Sequence, residues 1–237
     1  MNNLLVNRQE EQKILYKALK SNEPEMIALV GRKYVGKTFL VKSTYQKRIT
    51  FQVTGLQNGD KQAQIQNFNS TLLKHGAKER DISYDNWLEM FQHLVLFLDK
   101  KPKTIKQIIF LDELPWLANY QEDILTGLSF FWNSWAVNNN VILIVSGSSA
   151  SWMRQKVINN TGGLYGRTTK RIFLKPFNLR ETEKYFIHRG MNFSRLQIAE
   201  LYMIFGGIPY YLQEIKRDKN IAQNIDDICF FQSRLIV

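Results

Sequence analysis

The chain has 237 residues and is 44% hydrophobic, enough for one large domain, or one domain and a smaller companion, around a sizeable core. One cysteine, Cys229, excludes an internal disulfide and a multi-cysteine metal site, and three scattered histidines (His75, His93, His188) argue against a histidine-based one. Lys+Arg exceed Asp+Glu by 32 − 21 = 11, but the densest stretches, KKPKTIK (100–106), RTTKR (167–171) and KRDK (216–219), are short. They read as a solvated basic surface, with contact to DNA or another polyanion as the alternative.

No run of about 18 apolar residues is present to cross a membrane. The start, MNNLLVNRQEEQK, has no basic segment ahead of an apolar one, so a cytoplasmic protein is expected. Ile14, Leu15, Ala18 and Leu19 predict a helix over 10–20. MIALV (26–30), bounded by Pro24 and Gly31, reads as a buried strand. A helix is expected over 37–47, a strand at ITFQV (49–53) and a helix over 61–75. Tyr84, Trp87, Leu88, Phe91, Leu94, Val95 and Leu98 fall on one face of a helix over 84–98. IIFLDE (108–113) is a strand that ends in acids, and Ile124, Leu125, Leu128, Phe131, Trp132 and Trp135 mark another amphipathic helix. VILIVSG (141–147) is a fourth strand, followed by a helix over 150–158, and RIFL (171–174) a fifth. The tryptophans sit mostly at core spacing; Trp116, just after Leu114-Pro115, is the one expected to be partly exposed.

Strands alternating with helices imply parallel pairing through crossovers, hence a three-layer α/β sheet covered on both faces. After Pro176 the pattern turns helical. Asn178-Leu-Arg-Glu181 and Ser194-Arg-Leu-Gln197 have the spacing of capping boxes. Gly206-Gly207 should stop the second helix, and Pro209 suits the first turn of a third. The expected division is a core over 1–176 and a helical lid domain over 177–237.

Residues 31–38, GRKYVGKT, fit G-x-x-x-x-G-K-[ST] between a strand and a helix. Such a loop turns backbone N–H groups inward as an anion nest, and the next helix adds its positive end. Gly31, Arg32, Lys33, Tyr34, Val35, Gly36, Lys37, Thr38 and Phe39 are therefore the expected nucleotide-binding residues. Lys37 would reach the β- and γ-phosphates, and the Thr38 hydroxyl would bind Mg²⁺. Asp112 and Glu113 end a hydrophobic strand, at the edge where α/β sheets bind ligands. Asp112 would hold Mg²⁺ through water, and Glu113 would orient and deprotonate an attacking water. Ser146 and Ser148, at the end of the fourth strand, are candidates to touch the γ-phosphate or the water; the alternative is a serine turn leading into the next helix. Arg167 follows the glycine-containing stretch 161–166 and reads either as an arginine finger or as a surface cation.

With these pieces assembled, the chain resembles the archaeal-type ATPases found in archaea and many bacteria, within the AAA+/STAND group of P-loop NTPases. Leu5-Val6-Asn7-Arg8-Gln9-Glu10-Glu11 is similar to the family's N-terminal signature, with Arg8 and Glu11 at its marked positions. The 31–38 loop and the Asp112-Glu113 strand match its Walker A and Walker B elements. Ser146 to Met153, Gly163-Leu-Tyr-Gly-Arg167 and Leu174-Lys-Pro-Phe177 resemble its later segments. Gly206-Gly-Ile-Pro209 resembles the lid motif that in STAND proteins lies against the base, so the resemblance implies Pro209 and the segment around Arg8 as the base pocket. Family members usually continue past the lid; this chain ends at FFQSRLIV (230–237), so no activity of such a region is carried over.

The resemblance implies a P-loop NTPase fold with ATP and Mg²⁺ as ligands, and a slow ATPase acting as a nucleotide-driven switch. Partners expected are ATP and ADP, then DNA or another polyanion, and a second copy or a protein partner. The competing reading is a nucleic-acid-binding module that uses ATP as a conformational ligand. A GTPase is disfavoured because no N-K-x-D guanine motif occurs.

Overall fold

The computed structural model describes residues 5–78 and 84–231. Helix α1 (Gln9–Lys20) leads into β1 (Glu25–Val30), and the 31–38 loop joins β1 to α2 (Lys37–Tyr45). Next come β2 (Ile49–Thr54), α3 (Lys61–Lys74), α4 (Trp87–Leu98) and β3 (Gln107–Asp112). The short α5 (Leu114–Leu117) and then α6 (Asp123–Ser134) precede β4 (Val141–Gly147). One turn, α7 (Ala150–Met153), a π-helical turn over Arg154–Ile158 and β5 (Lys170–Phe173) complete the sheet region. Helices α8 (Leu179–His188), α9 (Arg195–Phe205), α10 (Pro209–Leu212) and α11 (Ile221–Asp226) follow.

All five expected strands form, and they make one parallel sheet in the order β2-β3-β4-β1-β5. Every residue of β1, β3 and β4 is buried, as the continuous apolar runs require of strands covered on both faces. Alternate residues serve alternate faces. Ile27, Leu29, Ile108, Phe110, Ile142 and Ile144 pack with Leu15, Leu40, Val41 and Tyr45 of α1 and α2. Met26, Ala28, Ile109, Leu111, Leu143 and Val145 pack with Phe68, Phe91, Leu128 and Phe131 of α3, α4 and α6. Four of the five tryptophans join this second face, and Trp116 alone is only half-buried.

Three helix boundaries differ from expectation by two residues or more. The helix expected at 84 starts at Trp87, because Asn86 is extended and its side chain accepts the Glu89 N–H, a local cap that competes with helix. The helix expected to reach 47 ends at Tyr45, where Gln46 turns to φ 48°. The helix expected over 150–158 keeps α-geometry for one turn only and then widens into the π-helical turn.

The C-terminal helices gather their own apolar cluster, with Phe177, Phe186, Ile198, Leu201, Phe205, Leu212 and Ile228 among its members. Both expected capping boxes are present, and a third, Asn220 with Gln223, opens α11. Gly206 ends α9 in the left-handed conformation, and Pro209 opens α10. The connection from the sheet is pinned to this turn, with the Phe177 N–H donating to the Gly207 carbonyl at 2.8 Å.

Candidate functional site

The sheet order puts β1, β3 and β4 side by side, so their C-terminal ends present the 31–38 loop, Asp112-Glu113 and Ser146 to Ser148 along one edge. The Gly31 N–H donates to the Gly147 carbonyl at 3.3 Å, which ties the start of the loop to the end of β4. A Cβ on Gly31 would lie 2.5 Å from the Leu174 carbonyl oxygen, so only glycine lets the loop pass that close to the chain beyond β5. Gly36, the residue before α2, sits at φ 94°, a conformation that side chains rarely adopt, with open space where a Cβ would be. No side chain caps α2, and its first turn contains no acid. No side-chain cap or first-turn acid therefore competes for its leading N–H groups and positive end, an arrangement suited to an anion.

Lys37 is buried at 5% exposure, and its Nζ donates to the Gly31 carbonyl at 2.9 Å and the Arg32 carbonyl at 3.2 Å. The same amine lies 3.0 Å from Glu113 Oε1. Glu113 Oε2 accepts the Ser148 N–H at 2.9 Å and the Ser148 hydroxyl at 2.8 Å. Both oxygens of this buried carboxylate are thus occupied. Its backbone lies in the left-handed region, φ 51°, which turns the side chain away from the line of β3 and toward the loop.

The Asp112 carboxylate, 3% exposed, accepts the Thr38 hydroxyl on Oδ2 at 2.6 Å and the Ser146 hydroxyl on Oδ1. The Glu113 N–H donates to the same Ser146 oxygen at 3.2 Å. The two serines therefore part company: Ser146 is wholly buried and orients Asp112, while Ser148 holds Glu113. Among the described residues no group of three His, Cys, Asp or Glu gathers to hold a metal. One carboxylate and one hydroxyl offer only hard oxygen ligands, the set that suits Mg²⁺ completed by water and phosphate.

Arg32, Lys33 and Tyr34 of the loop and Phe39 of α2 are exposed, and Val35 is buried. Lys33 Nζ lies 4.9 Å above the Trp116 ring and 3.5 Å from Gln57 Oε1. Tyr34, at φ 69°, is a bulky residue in a conformation that costs about 1–3 kcal/mol. Its ring stacks on Tyr210 of α10 with centroids 4.3 Å apart. Neither contact was visible in the sequence. Tyr210-Tyr211 directly after Pro209 was legible as an aromatic pair, but its partner lies far away in the chain.

Arg8 is buried, with its guanidinium donating to the Lys175 carbonyl at 2.7 Å and the Val35 carbonyl at 3.5 Å. It also pairs with Glu11 at 3.5 Å and lies 4.6 Å over the Phe177 ring. Burial pulls it below the usual guanidinium value, with Glu11 and Glu181 opposing the shift. Asn7 beside it donates to the Glu181 carbonyl at 2.6 Å. This segment therefore fastens the loop, the connection at 175–177 and α8 together. Pro209 stands at the start of α10, one residue before Tyr210.

Arg167 lies elsewhere. It is exposed, three residues before Lys170, which pairs opposite Ile27 near the start of β1. The loop follows the far end of that strand at Val30, about 10 Å further along it. The sheet thus separates Arg167 from the phosphate loop of its own chain.

A Methanocaldococcus jannaschii protein, uncharacterised MJECL04, is 29% identical over 215 residues, 90% of this chain and 44% of that one. The chain thus spans less than half the length of that relative. Among solved structures, the Walker-type ATPase PABY2304 of Pyrococcus abyssi superposes with a TM-score of 0.66 at 19% identity, covering 94% of this chain and 71% of that one. The ORC2 protein of Aeropyrum pernix, solved in ADPNP-ADP complexes, gives 0.61 at 14% identity over 90% and 63% of the two chains. The STAND protein PH0952 of Pyrococcus horikoshii gives 0.52 at 17% identity over 95% and 32%. These likenesses share the P-loop NTPase fold. Residues 5–215 match the profile of an ATPase domain found predominantly in Archaea, and the chain belongs to that family.

Proposed function

We propose that the chain binds ATP with Mg²⁺ at residues 31–39 and hydrolyses it slowly, as a nucleotide-driven switch. The observation that carries this is the Lys37–Glu113 pair, a buried amine and a buried carboxylate 3.0 Å apart beside an uncapped helix start. When a triphosphate enters the loop, Lys37 exchanges Glu113 Oε1 for the β- and γ-phosphate oxygens. Glu113 Oε2 stays with Ser148, so the carboxylate keeps its orientation while Oε1 becomes free to accept a proton from water. The water oxygen bonds to the γ-phosphorus as the bridging P–O bond breaks, and its electron pair leaves on ADP. Mg²⁺, held by Thr38 and Asp112, would neutralise charge on the phosphate oxygens. The base lies between the segment around Arg8 and the turn at Gly207 to Pro209. Residues 177–237 act as the lid that responds to the nucleotide, and Arg167 serves a neighbouring copy.

The test uses two variants. Lys37→Ala should abolish ATP binding or weaken it severely. Glu113→Gln should bind ATP as the parent does and lose about 10²–10⁴ in turnover, the usual contribution of a positioned base. Hydrolysis by Glu113→Gln at the parent rate would remove the base assignment, and parent protein that binds no ATP would remove the reading.

The net charge of +11 favours a second reading, a nucleic-acid-binding module with ATP as its conformational ligand. Binding to DNA whose affinity falls steeply between low and physiological salt supports it, and no binding at low salt excludes it.

A further inference from the structure

An anion-binding loop works largely through its backbone, so a side chain of it that reaches neither phosphate nor metal is free for another task. At position 34 the backbone is left-handed, φ 69°, where glycine is the unstrained choice. A tyrosine persists in such a conformation only when its surroundings hold it there. Burial is not the reason, because Tyr34 remains 46% exposed. Its ring is instead engaged in aromatic contact. Its ring lies nearly parallel to Tyr210, 4.3 Å away with an interplanar angle of 21°, and meets Tyr211 edge-on at 6.2 Å. Tyr211 continues to Phe205 at 6.3 Å, and Phe205 belongs to the apolar cluster of the C-terminal helices. A continuous chain of rings therefore runs from the phosphate loop into the core of those helices.

We propose that Tyr34 is a positioning residue whose stack on Tyr210 seats α10, and the helices packed with it, against the phosphate loop. Loop occupancy and helix seating are then coupled, and the coupling runs equally in both directions. Only its nucleotide arm rests on the ATP-binding reading above.

Tyr34→Gly separates this role from loop conformation, because glycine relieves the backbone strain while deleting the ring. The first readout needs no nucleotide. Amide hydrogen exchange at Tyr211, Leu212 and Gln213, whose N–H groups bond back to Ile208 and Pro209, should quicken about three- to tenfold in Tyr34→Gly, the worth of one aromatic pair. The second is ATP affinity. Tyr34→Gly and Tyr210→Ala should each weaken it about three- to tenfold, and the double variant should be no worse than the weaker single. Tyr34→Phe and Tyr210→Phe should restore both readouts. Unchanged exchange in Tyr34→Gly overturns the proposal, as does ATP affinity equal to or better than the parent's, or losses that multiply in the double variant. If the parent binds no ATP, the nucleotide reading falls and the exchange measurement alone decides the stack.

Discussion

Replacing Ser146 by alanine removes one hydroxyl that holds two neighbours. It is 0% exposed, donates to Asp112 Oδ1 and accepts the Glu113 N–H at 3.2 Å. A bond to a charged acceptor contributes about 1.5–3 kcal/mol, and a buried N–H left without a partner costs about 1–3 kcal/mol. Both losses pass through one oxygen, so their sum is smaller than the parts, about 2–4 kcal/mol. For a chain of this size that lowers the melting temperature by about 4–16 °C. Ser148→Ala is milder. Its backbone N–H keeps Glu113 Oε2 at 2.9 Å and only the hydroxyl bond goes, at a partly exposed position where water can replace it, so the expected loss falls to about 1 kcal/mol and a few degrees. Calorimetric melts of nucleotide-free protein measure both. The functional signatures also differ. Ser146→Ala loosens Asp112, so the gain in ATP affinity on adding Mg²⁺ should shrink. Ser148→Ala should keep that gain and lower turnover, because it removes one of the two bonds that fix Glu113 Oε2. A Ser146→Ala melt within about 2 °C of the parent would refute the reasoning, and so would equal losses in the two variants.

Arg167→Ala should leave ATP affinity near the parent value and remove a rise of turnover per subunit with protein concentration; mixing it with Glu113→Gln should restore some activity. A rate that is independent of concentration, and unchanged by the substitution, would leave Arg167 a surface cation. Pro209→Ala should weaken ATP more than inorganic triphosphate, measured by titration calorimetry, because the triphosphate lacks the base; equal losses would take Pro209 out of the base pocket.

Local chemistry makes much of the fold legible in the amino-acid sequence. Buried parallel strands are apolar throughout, so MIALV, IIFL and VILIV declare themselves, and glycines or acids mark where each ends. Capping boxes at Asn178 and Ser194 write helix starts into four residues, and GRKYVGKT writes an anion nest into eight. Boundaries failed where a side chain competed locally with the backbone, as Asn86 does by capping at Glu89, or where a helix changed its winding after Met153.

Periodicity shows which face of an element is apolar but not what lies across from it. Only the strand order set Ser146 of β4 beside Asp112 of β3, and so divided the labour of two serines that look alike in sequence. Only packing closed Lys37 onto Glu113 and carried Tyr34 onto Tyr210. The register of β5 on β1 set Arg167 at the opposite end of the strand from its own phosphate loop. Each of these depends on residues distant in the chain meeting across a sheet edge. Such meetings are decided by the crossovers and the close packing they permit, whereas turns, caps and strand burial are already settled by a few consecutive residues.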